Sequence, residues 1–240
     1  NPVSDYRLDL TDSLGSVGDA TVQTAGRTGQ GIRVAVIDTG VDYTHRNLGG
    51  VGTTSAYAAA YGAGFDDALN TTRDGLFPTD KVAGGWDFVG EYWPALRSGE
   101  VVPSLTPDED PIDRQGHGTH VADVLAGASL DGLHKGVAPG ATLYAFKACS
   151  SRELACSGVA LLRALEACLT PDDPSSVDGT IDPNAQVVQN PVDIINISLG
   201  TRYGQFQDEA AYMVEWLTYF GITVVCSGGN RGDLPYSVSS

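Results

Sequence analysis

Four short apolar runs govern what this chain can fold into: IRVAVI (residues 32–37), ATLYAFK (141–147), DIINIS (193–198) and ITVVC (222–226). They are rich in branched residues and for the most part do not alternate with polar ones. A half-exposed strand alternates; a strand packed on both faces does not. The runs therefore predict buried strands of a parallel sheet. Segments with helical spacing lie between them, at about 117–129, 157–169 and 208–220. In the second of these, Val159, Leu162, Leu165, Ala167 and Leu169 form an apolar stripe. Strand and helix alternate, which predicts an α/β fold in three layers: a mostly parallel sheet with helices on both faces, joined by right-handed crossovers.

Three stretches break this pattern. Residues 49–73 are Ala- and Gly-rich, 91–114 are rich in proline and acid, and 170–191 are polar with several aspartates. They are expected as surface insertions on one domain, because 240 residues with 42 % hydrophobic content suit one large α/β core. Thirty acidic residues against fourteen basic ones give a formal charge of −16. That balance argues against nucleic acid or an anionic membrane as partner, since both need positive surface.

No apolar stretch is long enough to span a bilayer. The first residues, NPVSDYRLDL, have no basic n-region and no apolar h-region; a mature, processed start reads the same way. Cys149 and Cys156 bracket a short polar loop where a local disulfide fits, whereas Cys168 and Cys226 lie in apolar runs and read as buried free thiols. Asn70-Thr71-Thr72 is a glycosylation sequon on an accessible stretch, while Asn196-Ile197-Ser198 falls in an expected buried strand.

Ligands of a parallel α/β sheet gather at the carboxyl ends of its strands, so the residues standing there carry information. The first run ends in VIDTGVD, where Asp38 is either the cap of the next turn or a carboxylate that orients a histidine. RQGHGTHVADVLAG sets His117 at the start of a helical run, with His120 one turn along. Helical zinc motifs space their histidines at i and i+4 around a glutamate, and none is here. His117 then reads as a working base, kept neutral by the helix N-terminus, and His120 as a buried, hydrogen-bonded side chain. The third run ends in NISLG, so that Ser198, Leu199 and Gly200 make either a turn or a backbone edge for an extended peptide. The fourth ends in CSGGN, where Gly228 and Gly229 allow close approach and Asn230 offers an uncharged donor suited to a developing oxyanion. Together these features describe an acyl-transfer site that lacks its nucleophile.

With these motifs the chain resembles the subtilisin-like serine proteases (subtilases, peptidase S8 family). VIDTGVD, GHGTHVA, GVAPGATLYAFKA, INISLG and SGGN occur in that family's order, from about residue 29 to the end. KVAGGWDFVG and the acidic DEDPID resemble the extracellular branch that often carries a protease-associated domain insertion. The resemblance implies a secreted serine endopeptidase, matured by loss of a propeptide and acting on protein or peptide substrates. In it Asp38 would hold the tautomer of His117 and stabilise its imidazolium. His117 would be general base and then general acid, and Asn230 would help bind the oxyanion. Ser198, Leu199 and Gly200 would pair with substrate backbone and, with Gly228 and Gly229, wall the specificity pocket. No cofactor is required. Calcium is compatible, with Asp42 at a ligand position and an acidic loop at Asp172, Asp173, Asp178 and Asp182.

The sequence departs from the family in specific places. The family's serine lies in a G-T-S-M-A-like motif downstream of the asparagine; after Asn230 only Ser237, Ser239 and Ser240 remain, without that motif. GTTSA at 52–56 stands in the wrong order, between Asp38 and His117. The expectation is therefore that residues 1–240 form the N-terminal portion of one catalytic domain, inactive alone. Its serine would lie on a C-terminal segment or partner chain. The alternative is a non-catalytic, subtilase-like peptide-binding protein. Asp123 stands where the family usually has glycine, and can cap, pair or crowd. Arg231, next to Asn230, would favour acidic or hydrophobic residues before the scissile bond, or is simply solvated.

Overall fold

The four apolar runs form four strands: β1 (Arg33–Asp38), β3 (Thr142–Lys147), β4 (Ile194–Ile197) and β5 (Thr223–Cys226). A further strand, β2 (Val82–Asp87), lies outside them. The computed structural model describes residues 17–61, 75–91, 93, 105–151, 155–171, 190–200 and 209–230. In it all neighbouring strands are parallel and the sheet order is β2-β3-β1-β4-β5. The sequence order reverses on either side of β1, which makes the carboxyl ends of β3, β1 and β4 the place where a crevice opens.

Helices cover both faces, and β1 shows why its run does not alternate. Ala35 and Ile37 point into one core with Tyr144 and Phe146 of β3. Val34 and Val36 point into the other, with Leu143 and Ala145. The first face packs under α4 (Gly158–Ala167) and α5 (Glu209–Tyr219), through Ala160, Ala164, Leu165, Met213 and Leu217. The second packs under α3 (His117–Ala126), through Ala122 and Ala126. Each large side chain buried this way contributes about 1.5–3 kcal/mol of transfer free energy, so the central strand is held from both sides. Ser157 starts α4, its Oγ accepting from the Ala160 amide.

β2 escapes the apolar-run criterion because it reads VAGGWD. Its glycines are steric. A Cβ on Gly84 would lie 2.8 Å from the Tyr144 ring, and one on Gly85 only 2.1 Å from the Ala145 carbonyl. Two further helices were not expected, α1 (Asp19–Thr24) and α2 (Thr54–Tyr61). The second starts within the Ala/Gly-rich stretch: the Thr53 hydroxyl accepts from the Ala56 amide, and Ala60 is buried. GTTSA is thus a helix start.

The acidic stretch before His117 is not all surface either. Asp108, Asp110, Ile112 and Asp113 are each 5 % exposed or less. Donors meet the Asp108 and Asp110 carboxyls there: Asp110 N–H donates to Asp108 Oδ1, and Tyr43 Oη and Ile112 N–H donate to Asp110 Oδ1. Most of 170–191, with Asp172, Asp173, Asp178 and Asp182, lies outside the described residues.

Candidate active site

β1 delivers Asp38 to the crevice with its side chain 2 % exposed. Its Oδ1 accepts from the Thr39 amide at 2.7 Å and lies 2.7 Å from Nδ1 of His117. Oδ2 is buried with no hydrogen-bond partner among the described residues. Burial raises the Asp38 pKa; the hydrogen bonds from His117 and Thr39 and the attraction of His117 oppose that, and the nearby Asp113 charge adds to it. The Asp38 carboxylate therefore gains from a cation beside it, and the imidazolium of His117 would be one.

His117 opens α3 and its side chain is 47 % exposed, so one edge of the ring meets the buried carboxylate while the rest faces solvent. The following glycine makes this approach possible: a Cβ on Gly118 would lie 2.1 Å from the Gly40 carbonyl and 3.1 Å from Asp38 Cβ. Gly118 N–H donates to Thr39 Oγ1, and His117 N–H to Gln115 Oε1. Sequence reasoning identified the Asp38–His117 pair but not the groups that set it: Thr39, Asp113, Gln115 and Thr119. The aspartate a few residues before the helix start in DRQGHGT was the readable signal for Asp113.

A cleft of about 350 Å³ opens beside this pair, lined by His117, Cys149, Cys156, Leu161, Ser198 and Leu199 among others. Gly200 completes that side of it. Ser198 accepts from Asn196 Nδ2 at 2.9 Å, and Leu199 O accepts from Ser227 Oγ at 3.4 Å. Asp38, His117, Ser198, Leu199 and Gly200 are thus brought to one cleft. Gly228, Gly229 and Asn230 follow β5, next to β4, as an exposed turn that does not line this cleft. Cys149 and Cys156 are disulfide-bonded. The hairpin they close is a wall of the cleft, a role their spacing alone did not reveal.

Behind the cleft, β3 ends in Lys147, fully buried and in register with Asp38 and Asp87. Its Nζ lies 2.8 Å from Asp87 Oδ2 and 2.6 Å from Glu91 Oε1. Burial pulls its pKa down, but the two carboxylates more than offset this and hold it above the ordinary lysine range. Arg114 Nε lies 3.1 Å from Glu91 Oε2, and its guanidinium stacks 4.0 Å from the Tyr61 ring centre. These buried pairs tie the loop before His117 to the carboxyl ends of β2 and β3.

Some expectations need correction. His120 is exposed, because the face of α3 that packs on the sheet is that of Ala122 and Ala126. Cys226 is exposed too: β5 is the last strand of the described sheet and mostly open on its outer face, whereas Cys168 is buried. The open question at Asp123 resolves to pairing, with Oδ2 2.9 Å from His134 Nε2 and Oδ1 accepting from Asn47 Nδ2. Asp42 Oδ1 already accepts from the Thr44 amide and hydroxyl, and no group of three or more His, Cys, Asp or Glu among the described residues could hold a metal ion. Arg231 lies outside the described residues.

A family model described as "Subtilase family" matches residues 29–240. The chain is similar to minor extracellular protease Vpr of Bacillus subtilis (strain 168), 28 % identical over 232 residues that cover 96 % of this chain and 22 % of that protein. It is similar to subtilisin-like protease SBT3.8 of Arabidopsis thaliana, 25 % identical, covering 100 % of this chain and 31 % of the other. Subtilisin DY of Bacillus licheniformis is 29 % identical, over 88 % of this chain and 52 % of its own length. The chain thus spans 22 % to 52 % of the length of these relatives.

Proposed function

The chain belongs to the subtilase family, and from that premise we propose that it is the Asp- and His-bearing part of a serine endopeptidase. The observation that carries this reading is the 2.7 Å approach of His117 Nδ1 to the buried Asp38 Oδ1, at the edge of a cleft. With Nδ1–H donating to Asp38, Nε2 is left as the basic nitrogen. It takes the proton of a serine hydroxyl as that oxygen attacks the scissile carbonyl carbon. The resulting imidazolium, stabilised by Asp38, then returns the proton to the departing amine, and water repeats the sequence on the acyl-enzyme. Asn230 donates its side-chain N–H to the tetrahedral oxyanion. Ser198, Leu199 and Gly200 pair with substrate backbone, and Gly228 and Gly229 wall the specificity pocket.

The nucleophilic serine comes from a further segment or partner chain, and residues 1–240 are the N-terminal portion of a single catalytic domain. The absence of a G-T-S-like motif in residues 231–240 supports this, as do the 22 % and 31 % of the Vpr and SBT3.8 relatives that the chain spans. An extracellular location fits the disulfide and the acidic composition, and the Bacillus subtilis relative is itself named an extracellular protease. The test is to treat the full-length protein with a fluorophosphonate and map the labelled peptide. Labelling of a serine outside these 240 residues, lost on His117→Ala, is the expected result. Failure of any native species to label would favour the non-catalytic peptide binder.

A further inference from the structure

Five donors from two different elements converge on one buried carboxylate that the reaction itself does not use. Asp113 is 2 % exposed. Its Oδ1 accepts from Thr39 Oγ1 at 3.0 Å, Gln115 N at 2.8 Å and Gly116 N at 2.9 Å. Its Oδ2 accepts from Thr119 N at 2.9 Å and Thr119 Oγ1 at 2.6 Å. An ordinary capping aspartate satisfies amides of its own helix and stops there. This one also binds the hydroxyl of the residue that follows Asp38. Thr39 Oγ1 in turn accepts from Gly118 N, so the amides on both sides of His117 end in the same network.

We propose that Asp113 is a positioning residue that sets the distance between His117 and Asp38, acting through Thr39 and the first turn of α3; the proposal rests on the peptidase reading above. The closed path runs Asp38, Thr39, Asp113, the Gly116 amide, His117 and back to Asp38. Asp113 is itself fixed on either side. Its carbonyl accepts from Tyr57 Oη at 3.0 Å, and the next residue, Arg114, is clamped between Glu91 and the Tyr61 ring. Thr119 extends the frame, since its hydroxyl also accepts from the Asp42 amide in the loop after β1. A carboxylate is the group that fits here, because five donors need an acceptor-only side chain with two oxygens. An amide at this position would turn an N–H toward the Thr119 amide.

Two substitutions separate positioning from mere capping. Asp113→Asn weakens both halves of the network. Thr39→Val removes the two hydrogen bonds of the Thr39 hydroxyl, to Asp113 and from the Gly118 amide, leaves the other four contacts of Asp113 in place, and alters no charge. Thr39→Ser keeps the hydroxyl. In the full-length protease, Thr39→Val and Asp113→Asn are expected to lower kcat on a chromogenic peptide about 10- to 100-fold with KM within twofold, the cost of a mis-set catalytic pair. Thr39→Ser should retain wild-type kcat. The acid limb of kcat/KM should move to lower pH in Thr39→Val, because an imidazolium farther from Asp38 is less stabilised. Wild-type kcat and an unmoved acid limb in Thr39→Val would overturn the proposal. If the wild-type protein neither hydrolyses peptide nor reacts with a fluorophosphonate, it is the peptidase reading that has failed. The positioning claim is then decided by the Nδ1 proton resonance of His117 in ¹⁵N-histidine-labelled protein. Loss or upfield movement of that resonance in Thr39→Val supports it, and an unchanged resonance refutes it.

Discussion

Asp38 shows what the site asks of single residues. A carboxylate with one oxygen buried and unpartnered among the described residues is costly to ionise, and burial accordingly raises its pKa. The neighbour that offsets this is His117, most strongly when protonated. Asp38→Asn keeps the shape but can present an N–H to His117 Nδ1, which stabilises the wrong tautomer. On the peptidase reading proposed above, kcat of the full-length protein should fall about 10⁴-fold with KM little changed, the magnitude known for Ser-His-Asp triads. A loss below tenfold would mean that Asp38 does not orient the base. Asn230→Ala should cost about 10²–10³ in kcat, a range known for subtilisin's own oxyanion asparagine and carried over here. Asp38 was legible as a candidate because it stands where a branched run gives way to a glycine-containing turn. The pairing of Asp123 was not: its partners Asn47 and His134 come from separate segments, and no local pattern in HVADVLAG encodes them. The same holds for the second role of Thr39, which depends on Asp113, far away in sequence.

Among the elements, the hairpin after β3 links the sheet to the cleft. Ser150 N donates to Ala155 O at 2.8 Å and Ser157 N to Ala148 O at 3.0 Å, with the Cys149–Cys156 bond across them. At its base the Ala148 and Cys149 amides both donate to the Asp38 carbonyl, and at its far end Ser157 caps α4. One face of this unit lines the cleft next to His117. Replacing both cysteines with serine frees the hairpin to open without altering its base. KM for an extended peptide should then rise several-fold while kcat stays within twofold, because the wall is lost and the catalytic pair is not. Unchanged KM would show that the backbone hydrogen bonds alone hold the wall. The elements themselves were read from the sequence to different depths for physical reasons. β1, β3, β4 and β5 announce themselves by unbroken branched runs. β2 cannot, because close packing on Tyr144 and Ala145 demands glycine where a strand signal would need valine. Among the described residues β5 is the last strand of the sheet, and Cys226 at its end is exposed there.

At the scale of the whole molecule, the formal charge of −16 is not spread over the surface alone. Asp87, Glu91, Asp108, Asp110 and Asp113 are all buried, between the ends of β2 and β3 and the loop leading to His117. Among the described residues, Lys147 and Arg114 are the cations paired with Asp87 and Glu91. Composition made the acidic stretch look like solvated surface; only the fold supplies the donors that let it turn inward. The arrangement has a pH signature. Burial, and then the charge of Asp87, push the Asp108 pKa up to about 8. Burial raises Asp110 to about 7, against the hydrogen bonds from Tyr43 and Ile112. An unfolded aspartate titrates near 3.9. Between that value and about 7 to 8 the folded segment holds protons that the unfolded chain has released, so these two groups make stability fall as pH rises across that window. We expect amide hydrogen exchange of residues 105–113 to be slower at pH 5.5 than at pH 8.5 once intrinsic rates are divided out. The measurement should use full-length His117→Ala protein, which on the peptidase reading would not digest itself. The double substitution Asp108→Asn with Asp110→Asn removes both titrations while keeping the Oδ1 acceptors, and should flatten the difference. Protection that instead grows toward pH 8.5 would mean that both carboxyls are ionised in the native state, with Lys147 and Arg114 stabilising them more than burial opposes it.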